Sequence, residues 1–253
     1  MGIDYYIFAS ITVLFAFILP IGAAIFMVAR KLVKLRVILA GMAVFIIFQP
    51  ILRILPMSLL QNAYPQLVPQ VSGLNLHYVI YGFILSLTAG IYEEGGRFLA
   101  FTFILKKYRG WHDGLGFGIG HGGAEALIFV GISAVAALFT NVLQPGQSPW
   151  LLAVGGVERL SAMTIQVGLT LLVLYSIRSK KYSYLLLAVG LHWLVDFVSV
   201  MFMVSFGILV TEISVGLFAA ASLVWIIKSG RLFAGGLQDT KDEIREVEVN
   251  ENQ

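Results

Sequence analysis

The sequence predicts an all-α membrane protein: a polytopic bundle of about seven transmembrane helices, with the N-terminus outside and the C-terminus cytoplasmic. Three observations predict it. Of the 253 residues, 58% are hydrophobic and only 12% charged, with a mean hydropathy of +0.88, which is too little polar material to clothe a water-soluble domain. The apolar runs reach the roughly 20 residues that a helix needs to cross hydrocarbon. Lysine and arginine recur in every second connection and almost nowhere else.

The runs fall at 5–29, 37–60, 76–105, 114–139, 151–177, 183–206 and 209–227. The first has no basic segment before it, so a cleaved signal peptide is not expected, and it ends at Arg30, Lys31, Lys34 and Arg36. The second gives way to "QNAYPQLVPQ", a proline-rich break that neither helix nor buried strand tolerates. The third ends at Lys106, Lys107 and Arg109, and the fourth at a second break, "NVLQPGQSPW". Arg178, Lys180 and Lys181 close the fifth. The connection from the sixth to the seventh carries no basic residue, and Lys228 and Arg231 follow the seventh. All seventeen basic residues except Arg53, Arg97 and Arg159 thus lie on one side, the cytoplasmic one by the positive-inside rule.

The same rule uses up the basic excess behind a pI of about 9.1, so nucleic acid is not an expected partner. Long runs without alternation exclude an outer-membrane barrel. The absence of cysteine excludes disulfides and thiolate metal sites, and the lack of an internal repeat argues against an inverted-repeat transporter. Residues 1–230 read as one membrane domain and 231–253 as a charged cytoplasmic tail. Six acidic and two basic residues from Gln238 to Gln253 make that end a solvated one.

Charges near the centre of a membrane helix cost roughly 2.5–3.5 kcal/mol each on insertion scales and are seldom idle. The predicted spans contain Glu93, Glu94, Arg97, Glu125, Glu158, Arg159 and Asp196, together with His121 and His192; Glu212 lies near an external end. Glu93 with Arg97, His121 with Glu125, and His192 with Asp196 are each four residues apart, which puts both members of a pair on one helix face. Counted from the cytoplasmic ends, the three pairs fall at two matched depths. Any one pair reads equally well as an ion pair or as polar glue between helices; three at matched depth favour a single buried site. Small residues support it: "GLGFGIGHGGAEA" surrounds His121 and Glu125, and Gly90, Gly95 and Gly96 surround the glutamates. Glu158 with Arg159 reads as a structural pair or gating contact. His77, His112, Trp111 and Trp150 read as interfacial residues.

The elements "EEGGR", "FGIGH" (Phe117 to His121) and "HWLVD" resemble, in order, the motifs of the CAAX-protease and bacteriocin-processing superfamily of intramembrane proteases. The glycine-rich stretch and the wider layout are most similar to its YhfC-type branch, with PrsW-type proteases as cousins. The resemblance covers roughly residues 75 to 200. It implies that Glu93 or Glu94 activates a water molecule, that His121, His192 and Asp196 orient it and steady the oxyanion, and that Arg97 holds the glutamates ionised. Two departures stand out. The superfamily places its arginine three residues after the second glutamate, whereas here only Gly95 and Gly96 intervene, which leaves open which glutamate is the base. The branch also implies a histidine eight residues after the glutamate of "ERL", where this chain has Gln166.

The residues themselves suit peptide hydrolysis, which needs a base, an oxyanion stabiliser and a bound water. Two histidines and carboxylates also suit one divalent ion such as zinc, held by His121, His192, Glu93 and Glu94. The resemblance to glutamate-dependent enzymes, and the loss of a ligand at Gln166, favour the metal-free form. The expectation is therefore an intramembrane endopeptidase in the cell membrane, with a membrane-anchored protein or peptide as substrate and the bilayer as surroundings. A proton-coupled transporter and a non-catalytic scaffold or immunity protein are the alternatives, since intramembrane Glu, Asp and His chains also relay protons.

Overall fold

A computed structural model describes residues 2–63, 74–140 and 148–251, apart from the side chains of Leu60, Thr140 and 235–251. The two proline-rich breaks fall largely outside the described residues, as do the side chains of most of the charged tail. Among the described residues the chain is a succession of long helical rods, and no strand is present. They are α1 (Ile3–Ala29), α2 (Leu35–Ala63), α3 (Leu76–Leu99, continued by a wide π-helical turn over Ala100–Ile104), α4 (Trp111–Phe139), α5 (Trp150–Ser179), α6 (Ser183–Phe206) and α7 (Ile208–Glu251). All but α3 are long and apolar enough to cross a membrane by length and composition. The chain is a multi-pass membrane protein.

The rods begin and end where the sequence supplies the means. Asn75 caps α3, its side-chain oxygen accepting from Tyr78 N at 2.9 Å. Gly110 N donates to Asp113 Oδ2 at 3.0 Å at the start of α4. The last carbonyls of α3 receive a guanidinium: Arg109 Nη2 donates to Phe101 O at 2.7 Å. Lys31 and Lys180 end α1 and α5 with φ of 56° and 55°. Gly207 turns α6 into α7 at φ 79°, a conformation that disfavours a side chain. Pro50 lies inside α2; its missing N–H opens the helix into a π-helical stretch over Ile47–Ile54.

α5 is the axis of the bundle. It packs against α1, α3, α4, α6 and α7, and 67% of its most apolar stretch is buried, compared with 11% in α6. The glycines of α4 let backbones touch on both of its sides. A Cβ on Gly120 would stand 2.1 Å from Ile38 O of α2, and one on Gly118 would stand 2.7 Å from Val167 Cα of α5. That double contact carries His121 and Glu125 into the interior between α2 and α5. Buried aromatic hydroxyl and indole groups fasten the outer helices: Tyr5 Oη donates to Ala137 O at 2.7 Å, and Trp225 Nε1 to Gly168 O at 3.1 Å. Trp111, expected at an interface, donates to Ser229 Oγ at 3.0 Å and so also ties α4 to α7.

Candidate active site

Five helices bring polar groups to one place. From α3 come Glu93, Glu94 and Arg97, all buried; α4 adds His121, α5 adds Gln166 and α6 adds His192. The fifth contributor is α2, with Gln49 and Arg53. The three pairs that the sequence singles out lie on α3, α4 and α6; the opened turn at Pro50 adds two α2 side chains to them.

Glu93 is the hub. His121 Nε2 donates to its Oε2 at 2.9 Å and Gln166 Nε2 to the same oxygen at 3.2 Å. Gln49 Nε2 donates to Oε1 at 2.6 Å, with His192 Nε2 3.9 Å from that oxygen. Glu94 is held on the other side: Arg97 Nη1 and His192 Nδ1 both donate to its Oε1, the latter at 2.7 Å. Arg97 Nη2 lies 3.4 Å from Glu93 and donates to Gln166 Oε1. The i,i+3 pair with Glu94 is thus the closer one, although Glu93 stands at the i,i+4 place. Three buried polar atoms, Glu94 Oε2, Arg97 Nε and His121 Nδ1, have no hydrogen-bond partner among the described residues.

Gln166 bridges to a second polar group: its Nε2 also donates to Glu125 Oε2 at 2.6 Å. Arg159 Nη1 donates to Glu125 Oε1 at 3.2 Å, and Arg159 Nε to Glu158 Oε2 at 2.6 Å. These residues, with His192 and Asp196, line a cavity of about 160 Å³ between α4, α5 and α6. Glu125 therefore stands one side chain, Gln166, away from the hub, facing the cavity. Asp196 sits at the rim, its Oδ2 3.7 Å from His192 Nε2. Glu94, from across the bundle, is what holds His192 through Nδ1, and Asp196 faces the opposite nitrogen.

Sequence reasoning missed Gln49 and Arg53 as site residues. Their signal was present, because they too are four residues apart, like the three pairs that were singled out. Gln166 was noted only as a missing histidine, and among the described residues it is the one side chain that hydrogen-bonds to Glu93, Arg97 and Glu125 together.

The donor types suit a divalent metal. Nδ1 of His192 is committed to a carboxylate, the arrangement that fixes a ligand imidazole's tautomer, and this leaves Nε2 facing Glu93 and Asp196. His121 Nε2 faces Glu93 as well. Among the described residues no three of these groups stand at metal-ligand spacing; they are spaced as hydrogen-bonded partners.

Comparison with known proteins gives the same direction. No solved structure matches. The chain is 32% identical over 262 residues to a Bacillus subtilis (strain 168) protein described as "Uncharacterized membrane protein YhfC", covering 90% of this chain and 97% of that one. Residues 15–147 and 137–216 match the family described as YhfC intramembrane metalloprotease. With most of its length matched, this chain belongs to the YhfC intramembrane metalloprotease family.

Proposed function

We propose that this chain is an intramembrane endopeptidase that hydrolyses a peptide bond in a membrane-associated substrate, with Glu93 as the base. The observation that carries the reading is the convergence on one buried carboxylate of two imidazoles, two amides and a guanidinium from five helices. Glu93 takes the proton of an attacking water that enters by the 160 Å³ cavity. Glu94 is occupied by Arg97 and His192, so its part is to orient His192. His121 Nε2–H steadies Glu93, and His192, when protonated on both nitrogens, donates Nδ1–H to Glu94 and presents Nε2–H to the oxyanion, a donor of the kind worth about 10²–10³ in turnover. A metal, where bound, would draw on His121, His192, Glu93 and Glu94 and would supply Lewis-acid polarisation of water and carbonyl, although in the hydrogen-bonded arrangement among the described residues no three of these groups stand at ligand spacing. The three-motif resemblance to the CAAX-protease and bacteriocin-processing superfamily supports the same assignment.

The reading includes topology. In it α3 is the seventh span, since its charges face partners inside the bundle and not lipid. The lysine and arginine bias orients the N-terminus outside and the C-terminus in the cytoplasm. A second reading, proton-coupled transport, draws on the hydrogen-bonded string from Arg53 through Gln49, Glu93, Gln166 and Glu125 to Arg159. One experiment separates the two. Purified protein in proteoliposomes is incubated with a pool of membrane-anchored peptides and the fragments are read by mass spectrometry. Cleavage by the wild type, lost by about 10²–10⁴-fold in Glu93→Gln, is expected. Intact peptides combined with tracer uptake that depends on Glu93 would establish transport instead.

A further inference from the structure

We infer that Gln49 and Arg53 on α2 are positioning residues for the carboxylate of Glu93, a relay in which the guanidinium sets the polarity of the amide and the amide aims the base. The inference rests on Glu93 being the base and names how it is held. The argument begins with donor and acceptor capacity. A guanidinium has five N–H donors and no acceptor, whereas an amide has one end of each kind. Arg53 Nη1 donates to Gln49 Oε1 at 2.7 Å, so the oxygen end of that amide must face Arg53. The NH₂ end must then face Glu93, and Nε2 lies 2.6 Å from Glu93 Oε1. An amide's two ends are otherwise interchangeable in shape; here Arg53 leaves one orientation.

Arg53 is itself fixed. Its Nη2 donates to Leu85 O at 2.6 Å and its Nε to Thr88 Oγ1 at 3.2 Å. Both partners are on α3, which also carries Glu93, so the relay closes a loop between α2 and α3 and allows Glu93 little freedom. The whole assembly is buried: Gln49 is 7% and Arg53 8% exposed. Pro50 stands between them, in the opened stretch that turns both side chains inward. A buried arginine with no carboxylate in hydrogen-bonding contact among the described residues is costly, and nothing about helix packing alone requires one. Its first neighbour being the amide that touches the hub gives it a task.

The test uses the protein itself. Infrared spectra are taken in bilayers on protein labelled with ¹³C-glutamate, and the Glu93 band is assigned by its loss in Glu93→Gln. In Gln49→Leu, and in Gln49→Asn, whose amide is too short to span the gap, the band is expected to shift. It is expected to shift equally in Arg53→Leu and to return close to its wild-type position in Arg53→Lys, which keeps a cation against Gln49 Oε1. Ser58→Ala, also on α2 and bonded within its own helix to Ile54 O, serves as the silent control. On the pooled membrane-anchored peptides, Gln49→Leu should lower kcat by about 10–100-fold with KM within about twofold, as orienting partners of a site typically do. An unmoved Glu93 band in the folded Gln49 variants overturns the relay. If the band shifts while even the wild type cleaves nothing, the relay stands and the peptidase reading falls.

Discussion

Two polar regions share one glutamine in this bundle, and they differ in how dry they are. In the inner one Glu94, Arg97 and His121 are fully buried and Glu93 is 2% exposed; in the outer one the side chains of Arg159, Glu125 and Glu158 are 13%, 15% and 19% exposed. Each contains two carboxylates and an arginine. Water touches the outer group through the cavity and so shares the work of solvating it. The inner group depends wholly on its own partners, so each missing partner there leaves a bare charge. The same substitution should therefore cost far more inside than outside.

The sharpest way to break the comparison is Arg97→Leu. It strands Glu93 and Glu94 beside each other with no cation, and losing one side of a buried ion pair costs about 3–5 kcal/mol. The expected outcome is little monodisperse protein in detergent and no cleavage. Normal yield would show that the inner carboxylates do not need the guanidinium. His192→Ala comes next. It removes the group that meets Glu94 through Nδ1 and faces Glu93 and Asp196 through Nε2. Turnover should fall by about 10²–10³ while the protein still folds, because His192 lines the cavity and a water can fill part of the gap. Turnover within tenfold of wild type would remove His192 from the chemistry.

Part of this arrangement is legible in the sequence. The helical, multi-pass character was legible because hydrocarbon demands long apolar runs and the basic residues mark their ends. The spacing within Glu93–Arg97, His121–Glu125 and His192–Asp196 also implied that three helices turn polar faces inward at two matched depths. Two things were not legible. Whether the acidic partner of His192 is four residues away on its own helix or across the bundle depends on how α3 and α6 are rotated about their axes, and periodicity does not carry that. It is Glu94, across the bundle, that meets Nδ1. Likewise nothing in the pattern of the second run says that the turn opened at Pro50 brings Gln49 to Glu93; the packed structure shows it.

In the outer region the contrast predicts a smaller loss. Arg159→Leu removes the partner of both Glu125 and Glu158, yet each can turn toward cavity water. Stability should fall by about 1 kcal/mol, read as a modest drop in the thermal midpoint, the scale of a partly solvated pair. A collapse as complete as that of Arg97→Leu would erase the distinction between the two regions.

The smallest effect, and the one that sharpens the boundary between them, belongs to Gln166→His. The glutamine donates to both Glu93 and Glu125 and accepts from Arg97. A neutral imidazole has one donor and one acceptor, so it can serve Arg97 and only one of the two carboxylates. Glu125, which lines the cavity, replaces the lost donor with water more readily than Glu93, which is 2% exposed, so the imidazole should turn to Glu93. Cleavage should then stay within about tenfold of wild type, while Gln166→Leu, which serves neither carboxylate, should fall further. The exchange also brings a third imidazole toward His121 and His192, and zinc bound per chain after dialysis should rise above the wild-type value. Equal losses in the histidine and leucine variants, with zinc content unchanged, would mean that the bridge between the wet and dry regions is a packing contact and not a polar one.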